Sequence, residues 1–328
     1  MISLIVPVYK NSANIRPLLL ALTHLNADLQ GQLEVVLVVD GSPDDSYLQL
    51  SQLLPLAAFR SQLILLSRNF GAFAAVRAGL EAASGERFAV MAADLQEPPE
   101  LIREFDRLLC EDRADLVIGQ RVARDDPALS KVLSTAYWAL YRRFVAPDIP
   151  RGGVDVFGCN EQVRQQILLL KENHSSLIGL LFWVGFRRVN VTYTRRAREA
   201  GRSSWSIGKK VKYVMDSVFS FTDLPIRFLT RVGILGLALS LVFILLVIYA
   251  RLRGDISVPG YAATVIAVTF FGALNCLGLG IIGSYVWRTY ENTKARPNYV
   301  VATRGLYAPA DDNASAAIAP TRISEPSR

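Results

Sequence analysis

The sequence predicts an α/β fold: a mostly parallel sheet with helices on both faces, followed by an amphipathic interfacial helix and a two-helix transmembrane hairpin. Three observations carry this. Short, nearly continuous apolar runs alternate with helix-periodic stretches over residues 1–118, the pattern of strands buried on both faces. Each run ends in a polar turn, so the turns converge on one edge of the sheet. Near the C-terminus, Val232–Ala250 (19 residues) and Ile256–Trp287 (32 residues) carry no charge, and about 20 apolar residues span a bilayer.

Taken in order, Ile2–Val6 is the first strand, ending at Pro7, and a helix follows through Ile15, Leu18, Leu19 and Leu22. Leu33–Val39 is the second strand. It ends in Asp40-Gly41-Ser42-Pro43-Asp44-Asp45, a turn and helix start with acids where the helix dipole favours them. Leu63–Leu66 is the third strand, followed by Ser67-Arg68-Asn69-Phe70-Gly71 and a helix from Ala72 to about Ala83. Phe88–Ala92 and Asp115–Ile118 are the fourth and fifth strands. Ser130–Val145 reads as an aromatic-rich helix, and Gly152–Phe157 as a glycine-led strand carrying one acid, Asp155. A turn aspartate is the plainer reading of that acid. A helix over Glu161–Leu170 and a strand over Arg188–Tyr193 complete the first domain, residues 1–204.

The stretch around which the chain is organised is residues 87–100, where the fourth strand stops at Asp94 and Gln96-Glu97-Pro98-Pro99 leads into a helix. Pro99 suits a first helical turn, where its missing N–H would be unpaired anyway. A carboxylate and an amide oxygen at the end of a parallel strand suit a hard divalent ion that also holds a diphosphate. The alternative is a strand-to-helix turn with Asp94 as N-cap.

At 51% hydrophobic and 20% charged residues, the 328-residue chain is too apolar for an ordinary soluble enzyme. Its net charge of +7 is concentrated: residues 187–231 hold eleven Lys or Arg against Glu199, Asp216 and Asp223. A basic block directly before an apolar run suits an anionic membrane surface. It lacks the interleaved aromatics of a base-stacking groove, so nucleic acid is not an expected partner. Cys110, Cys159 and Cys276 show no pair spacing, and with only His24 and His174 beside them a zinc site is not expected. A reducing, cytosolic catalytic part follows. No charged-then-apolar leader opens the sequence, so a secreted protein is not expected.

Residues 205–227 place Ile207, Val211, Val214, Met215, Val218 and Phe219 at helical spacing among Lys209, Lys210, Lys212 and Asp216. This is the pattern of a helix lying in the lipid interface; packing on the soluble domain is the alternative. The hairpin occupies 228–287, with spans at about 230–250 and 260–287 joined by the loop Arg251–Val258. Arg227 and Arg231 at one end and Arg288, Lys294 and Arg296 at the other outweigh Arg251 and Arg253 in the loop. The positive-inside rule therefore puts both chain ends in the cytoplasm. Residues 288–328 form a cytosolic tail, disordered from about Thr303 by its Ala, Pro, Ser and Asp content.

Val6-Pro7-Val8-Tyr9, Val39-Asp40-Gly41-Ser42, Arg68-Asn69-Phe70-Gly71 and Ala93-Asp94-Leu95-Gln96-Glu97-Pro98-Pro99-Glu100 stand in an ordered set. It resembles family 2 glycosyltransferases of the dolichol-phosphate mannose synthase and bacterial polyprenyl-phosphate glycosyltransferase type. Gly153-Val154-Asp155, Tyr193-Thr194-Arg195, Arg198, Gly201, Ser203 and the two-helix tail extend the likeness to about residue 300. The resemblance implies a GT-A fold. Pro7, Val8, Tyr9, Asn11, Asp40, Arg68, Gly71 and Asp94 would hold the nucleotide of a UDP- or GDP-linked sugar. Asp94 and Gln96 would lie at Mg²⁺ or Mn²⁺. Arg121, Lys131, Arg195, Arg198 and Ser203 would hold donor or acceptor phosphates, a task suited to the arginine fork. Three positions depart from the family: an acid is usual at Asn11, a pair of acids at Val39-Asp40, and Asp-x-Asp at Ala92-Ala93-Asp94. A lysine common near Ser204 is absent as well, with Arg202 close by.

The resemblance implies an inverting, membrane-bound enzyme that moves a sugar to undecaprenyl or dolichyl phosphate, making a lipid-linked donor for the cell envelope. A phosphate monoester, with second pKa about 6, is already largely ionised and needs little deprotonation. Asp94 is then electrostatic, and Asp155 positions the acceptor or acts as base. The setting is the bacterial inner membrane, multi-pass, with a homo-oligomer left open. Two other classes remain: a glycosyltransferase acting on a saccharide or protein hydroxyl, and a catalytically silent membrane scaffold.

Overall fold

The computed structural model describes residues 1–121, 149, 154–170, 176–194, 224–253, 260–310 and 321–322. The chain divides into two compact units: Met1–Lys210 joined by Pro297–Arg328, and Val211–Arg296.

The first unit is built on β1 (Ile2–Val8), α1 (Ile15–Asp28), β2 (Leu33–Val39), α2 (Ser46–Leu53), β3 (Arg60–Leu66), α3 (Ala72–Ala82), β4 (Arg87–Val90), α4 (Glu100–Cys110), β5 (Leu116–Arg121), β6 (Val154–Asn160), α5 (Glu161–Leu169), α6 (Leu177–Trp183) and β7 (Arg188–Tyr193), with β8 (Val301–Tyr307) and the short β9 (Thr321–Arg322) after the second unit. The strands form one sheet in the order β7-β5-β6-β4-β1-β2-β3-β8-β9. All seven residues of β2 are buried. Leu33, Val35, Leu37 and Val39 pack on one face with α1, α2 and α4, while Val36 and Val38 pack on the other with α3. Burial on both faces is why the strand reads as a continuous apolar run. Helix α1 has no side-chain N-cap, a device worth about 1 kcal/mol. Its buried Ile15, Leu18, Leu22 and Leu25, at roughly 1.5–3 kcal/mol each, hold it instead.

Helices α3 and α5 cap each other's C-termini. The Arg164 Nε–H donates to Leu80 O at 2.7 Å, and the Arg77 guanidinium donates to the carbonyls of Ile167, Leu168 and Leu170. Last-turn carbonyls lack intrahelical donors, so each arginine meets a need that the sequence pattern does not display.

Two expectations are corrected. The sheet is mixed rather than mostly parallel. β3-β2-β1-β4 and β5-β7 pair in parallel, but β6 runs antiparallel between β4 and β5, and β8 runs antiparallel to β3. An apolar strand buried on both faces has the same composition in either direction, so the run itself carries no polarity. The tail is also not disordered from Thr303. Val301–Tyr307 is β8, stitched on by Ser67 N–H to Val300 O at 2.9 Å, by the Tyr299 hydroxyl donating to Glu81, and by Ala310 N–H to Ala57 O at 2.9 Å. Its residues alternate between exposed and buried or partly buried, as an edge strand does, and the polar segment after it dominated the composition.

The second unit contains α7 (Leu224–Arg253) and α8 (Tyr261–Thr293). Helix α7 starts inside the segment assigned to the interface and runs through Arg253, shortening the expected loop. Among the described residues one helix, Phe270–Thr293 within α8, is long and apolar enough to cross a membrane. Leu235, Leu239, Leu241, Leu245 and Leu246 of α7, and Val268, Phe270, Leu279, Val286 and Trp287 of α8, are all more than half exposed. The expected helix over Ser130–Val145 and most of the interfacial segment lie outside the described residues.

Candidate active site

Strands β1 to β4 run in parallel; β1, β2 and β3 end together, with Val8 opposite Val39 and Val39 opposite Leu65, while β4 stops earlier, at Val90 opposite Ile5. Their exits are tied to one another. Asp40 N–H donates to Val8 O at 3.0 Å. Lys10 N–H donates to Ser42 Oγ at 2.8 Å, and Ser12 N–H to Asp44 Oδ2 at 3.1 Å. The Ser42 hydroxyl donates to Asp44 Oδ1 at 2.6 Å. Burial raises the Asp44 carboxyl, but hydrogen bonds from Ser42, Ser46 and Ser12 more than offset this and hold it below its ordinary value. Lys10 takes a left-handed backbone (φ 55°) where the chain turns out of β1.

Pro7 and Val8, expected in a nucleotide loop, are residues of β1, and the Val8 side chain is core. Tyr9 is half-buried beside Lys10, whose Nζ lies 5.5 Å from its ring centroid. Asn11 receives Asn14 N–H on its carbonyl oxygen at 2.8 Å. Asp40 is 3% exposed. Its Oδ1 accepts Phe70 N–H at 2.7 Å, and its Oδ2 accepts Gly71 N–H at 2.8 Å and the Asn69 amide at 3.0 Å. Arg68 is exposed, with its guanidinium carbon 4.1 Å from the Phe70 ring centroid. Gly71 is the N-cap of α3 at φ 101°, a conformation that L side chains rarely adopt.

At the end of β4, Met91 N–H donates to Ile5 O at 3.1 Å, and the chain then leaves the sheet. Leu95 sits at φ 53°, Gln96 N–H faces Asp94 Oδ1 at 3.4 Å, and Glu97 is 1% exposed. The N-cap of α4 is Pro99, so Asp94 does not cap that helix; it folds back on its own turn. No cluster of three or more His, Cys, Asp or Glu suited to a metal occurs among the described residues. Asp94 and Gln96 nonetheless place a carboxylate and an amide in one half-buried loop. That fits a magnesium-type ion, which takes most of its oxygens from substrate and water.

Arg121 ends β5 opposite Tyr193, at the same edge. Asp155 follows Val154, which pairs with Gln120, and lies beyond the point where β4 ends opposite Phe157. The backbone thus brings it to the site edge. Lys131, Arg195, Arg198 and Ser203 lie outside the described residues. Missed in the sequence were Ser42 and Asp44, which lock two loops, and Asn69 and Phe70, which engage Asp40 and Arg68. The Ser42-x-Asp44 spacing before a helix was the available signal.

A sheet whose parallel strands end in polar loops along one edge is an α/β architecture that binds ligands at that edge. The chain belongs to glycosyl transferase family 2, whose model matches residues 3–169; it is a glycosyltransferase with a GT-A-like mixed sheet. It is similar to putative glycosyltransferase CsbB of Bacillus subtilis, at 36% identity over 92% of this chain and 91% of that protein. It is also similar to a prophage bactoprenol glucosyl transferase homolog of Escherichia coli (28%; 92% and 98% covered) and to the bactoprenol glucosyl transferase of Shigella phage SfX (28%; 92% and 99%). Among solved structures, glucosyl-3-phosphoglycerate synthase of Mycobacterium tuberculosis shares 15% identity at TM-score 0.45, over 67% of this chain and 77% of that one. That is a loose likeness of fold.

Proposed function

We propose that this protein is an inverting polyprenyl-phosphate glycosyltransferase of a bacterial inner membrane, with UDP-glucose its first candidate donor and undecaprenyl phosphate its acceptor. The observation that carries the reading is near full-length similarity to bactoprenol glucosyl transferases in a chain whose strand exits form one loop-lined edge. A phosphate oxygen of the lipid attacks the anomeric carbon. The bond from that carbon to the diphosphate breaks, and its electron pair leaves with the nucleoside diphosphate. Asp94 and Gln96 would hold Mg²⁺ or Mn²⁺, which when bound supplies charge neutralisation of the leaving diphosphate. Tyr9, Asn11, Arg68 and Gly71 line the donor side. Arg121, Lys131, Arg195, Arg198 and Ser203 hold the acceptor phosphate, and Asp155 orients it.

Connectivity supports a two-span hairpin. β8 follows the second unit yet pairs with β3 of the first, and a sheet does not assemble across a bilayer. The chain between them therefore crosses an even number of times. If the apolar part of α8 crosses, α7 crosses too, and the outward-facing leucines of α7 are what lipid would cover. The flanking arginines and lysines support an orientation with both ends and the catalytic unit in the cytoplasm.

The test is a screen of UDP- and GDP-sugars with undecaprenyl phosphate and Mn²⁺, reading label in the organic extract. Label that stays aqueous from every donor would contradict the lipid acceptor. For the acceptor arginines, Arg198→Ala should raise the apparent KM for undecaprenyl phosphate or lower kcat while vesicle binding is unchanged. Weakened vesicle binding with normal kinetics in detergent would remove Arg195 and Arg198 from the site and leave a general lipid-surface patch.

A further inference from the structure

We infer that Tyr299, in the segment by which the chain returns to the sheet, is a positioning residue of the donor site: it holds α3 and the β3–α3 loop, and through them Arg68. This rests on the donor role of Arg68 above. β3 lies between β2 and β8, so the loop that follows it is flanked by the exit of β2 and the entry to β8. On the β2 side the main chains touch. Gly41 is at φ +54°, and a Cβ there would stand 2.2 Å from the Arg68 carbonyl carbon. On the β8 side, Ser67 N–H donates to Val300 O at 2.9 Å. The Tyr299 hydroxyl donates to Glu81, in the last turn of α3. Two adjacent residues therefore grip both ends of the loop and its helix.

A β-bulge aims them. Thr303 pairs with Leu65 but Val301 with Leu66, so Ala302 is an extra residue in β8. Strand side chains alternate between faces, and one inserted residue turns over everything before it. Tyr307 accordingly packs on the α1 side of the sheet, and Val301 and Tyr299 on the α3 side. There Tyr299 meets the same apolar cluster as Phe70 and Phe73. Phe73, Arg77 and Glu81 are four residues apart and share a face of α3. The Phe70 ring carries the Arg68 guanidinium carbon 4.1 Å from its centroid, and Arg68 also donates to Asn69 O at 3.3 Å. A shift of α3 and its loop would move the surface on which Arg68 rests. Burial and the Glu81 carboxylate raise the Tyr299 phenol above its ordinary value, so it remains a donor.

The test is a double-mutant cycle on the full chain, read as the calorimetric Kd for UDP-glucose with Mn²⁺ and as its KM at saturating undecaprenyl phosphate. Arg68→Ala should raise both about tenfold with kcat little changed, the signature of lost uniform binding. Tyr299→Ala should raise both about fivefold and add little on top of Arg68→Ala, because residues that act through one another are not additive. Arg304→Ala, which frees β8 from Gln62, controls for stability alone: Tm should fall and both constants should stay. Unchanged constants in Tyr299→Ala, or full multiplication of the two factors, would overturn the proposal. If Tyr299→Ala does not fold, Tyr299→Phe replaces it; only the bond to Glu81 is then lost, with a rise of about twofold expected and the same criterion. An unchanged Kd in Arg68→Ala would refute the donor role of Arg68 and this proposal with it. UDP-glucose binding without any lipid product would refute the acceptor reading alone, since the cycle can be read entirely in Kd.

Discussion

Two buried carboxylates at opposite ends of the same parallel strands make a comparison. Glu34, 1% exposed near the start of β2, accepts hydrogen bonds from Ser3, from Gln62 at 2.8 Å, and from the Ser84 amide and hydroxyl at 2.8 and 2.6 Å. Gln62 in turn accepts from Arg304 of β8 at 2.7 Å. Asp40, just past the other end of β2, binds a loop instead. The first network joins neighbouring strands and anchors the returning tail; the second leaves an exposed arginine in a set direction. The same chemistry serves closure at one edge and presentation at the other, and what differs is whether the partners are strand residues or loop amides.

The largest expected effect breaks the closure edge. A chain ending before Pro297 loses β8 and bares β3 as an open edge, which invites association. It also loses the bond from Ser67 N–H to Val300 O, next to Arg68. Aggregation in size-exclusion chromatography and no transfer are expected; a monodisperse, active truncate would show that β8 is dispensable. At the presentation edge, Asp94→Asn should cut turnover by about a hundredfold, as loss of a preorganised electrostatic group does, with thermal unfolding unchanged. Wild-type turnover by that variant would remove Asp94 from the site.

Acid separates the two edges further. Burial raises the Glu34 carboxyl, but the bonds from Ser3, Ser84 and Gln62 and the Ser84 amide outweigh it and hold the group below its ordinary value of 4.5. The folded state therefore binds this proton more weakly than the unfolded chain does. Its contribution is present above pH 4.5 and is lost as pH falls through the lowered folded value. Glu34→Gln should be less stable at neutral pH and flatten the slope of Tm against pH below about 4.5; an unaltered slope would mean that other carboxylates govern it. The smallest effect is Arg304→Ala, with about 1–2 kcal/mol of stability lost through its bond to Gln62 and normal turnover below the unfolding transition.

Much of this was legible in the sequence. β2 and β7 have the bounds that their apolar runs predict, and α5 lies within one residue of its expected end. The Asp94 turn was readable because a strand, an acid and a proline pair occur together. The direction of β6 was not, because pairing polarity depends on partners distant in the chain. β8 was hidden because an edge strand needs only part of one face apolar, and a polar segment follows it. The partners of Asp40 lie about 30 residues away, beyond any local pattern, so the sequence did not display that this acid grips the next loop.

The most direct test of the central claim is the mass of the lipid product. Wild-type protein in undecaprenyl phosphate vesicles, given UDP-glucose and Mn²⁺, should yield undecaprenyl phosphate heavier by one hexose residue, and Asp94→Asn should yield almost none. A sugar recovered only on a water-soluble glycan or on protein, or no glycosylated lipid with any UDP- or GDP-sugar, would contradict the account.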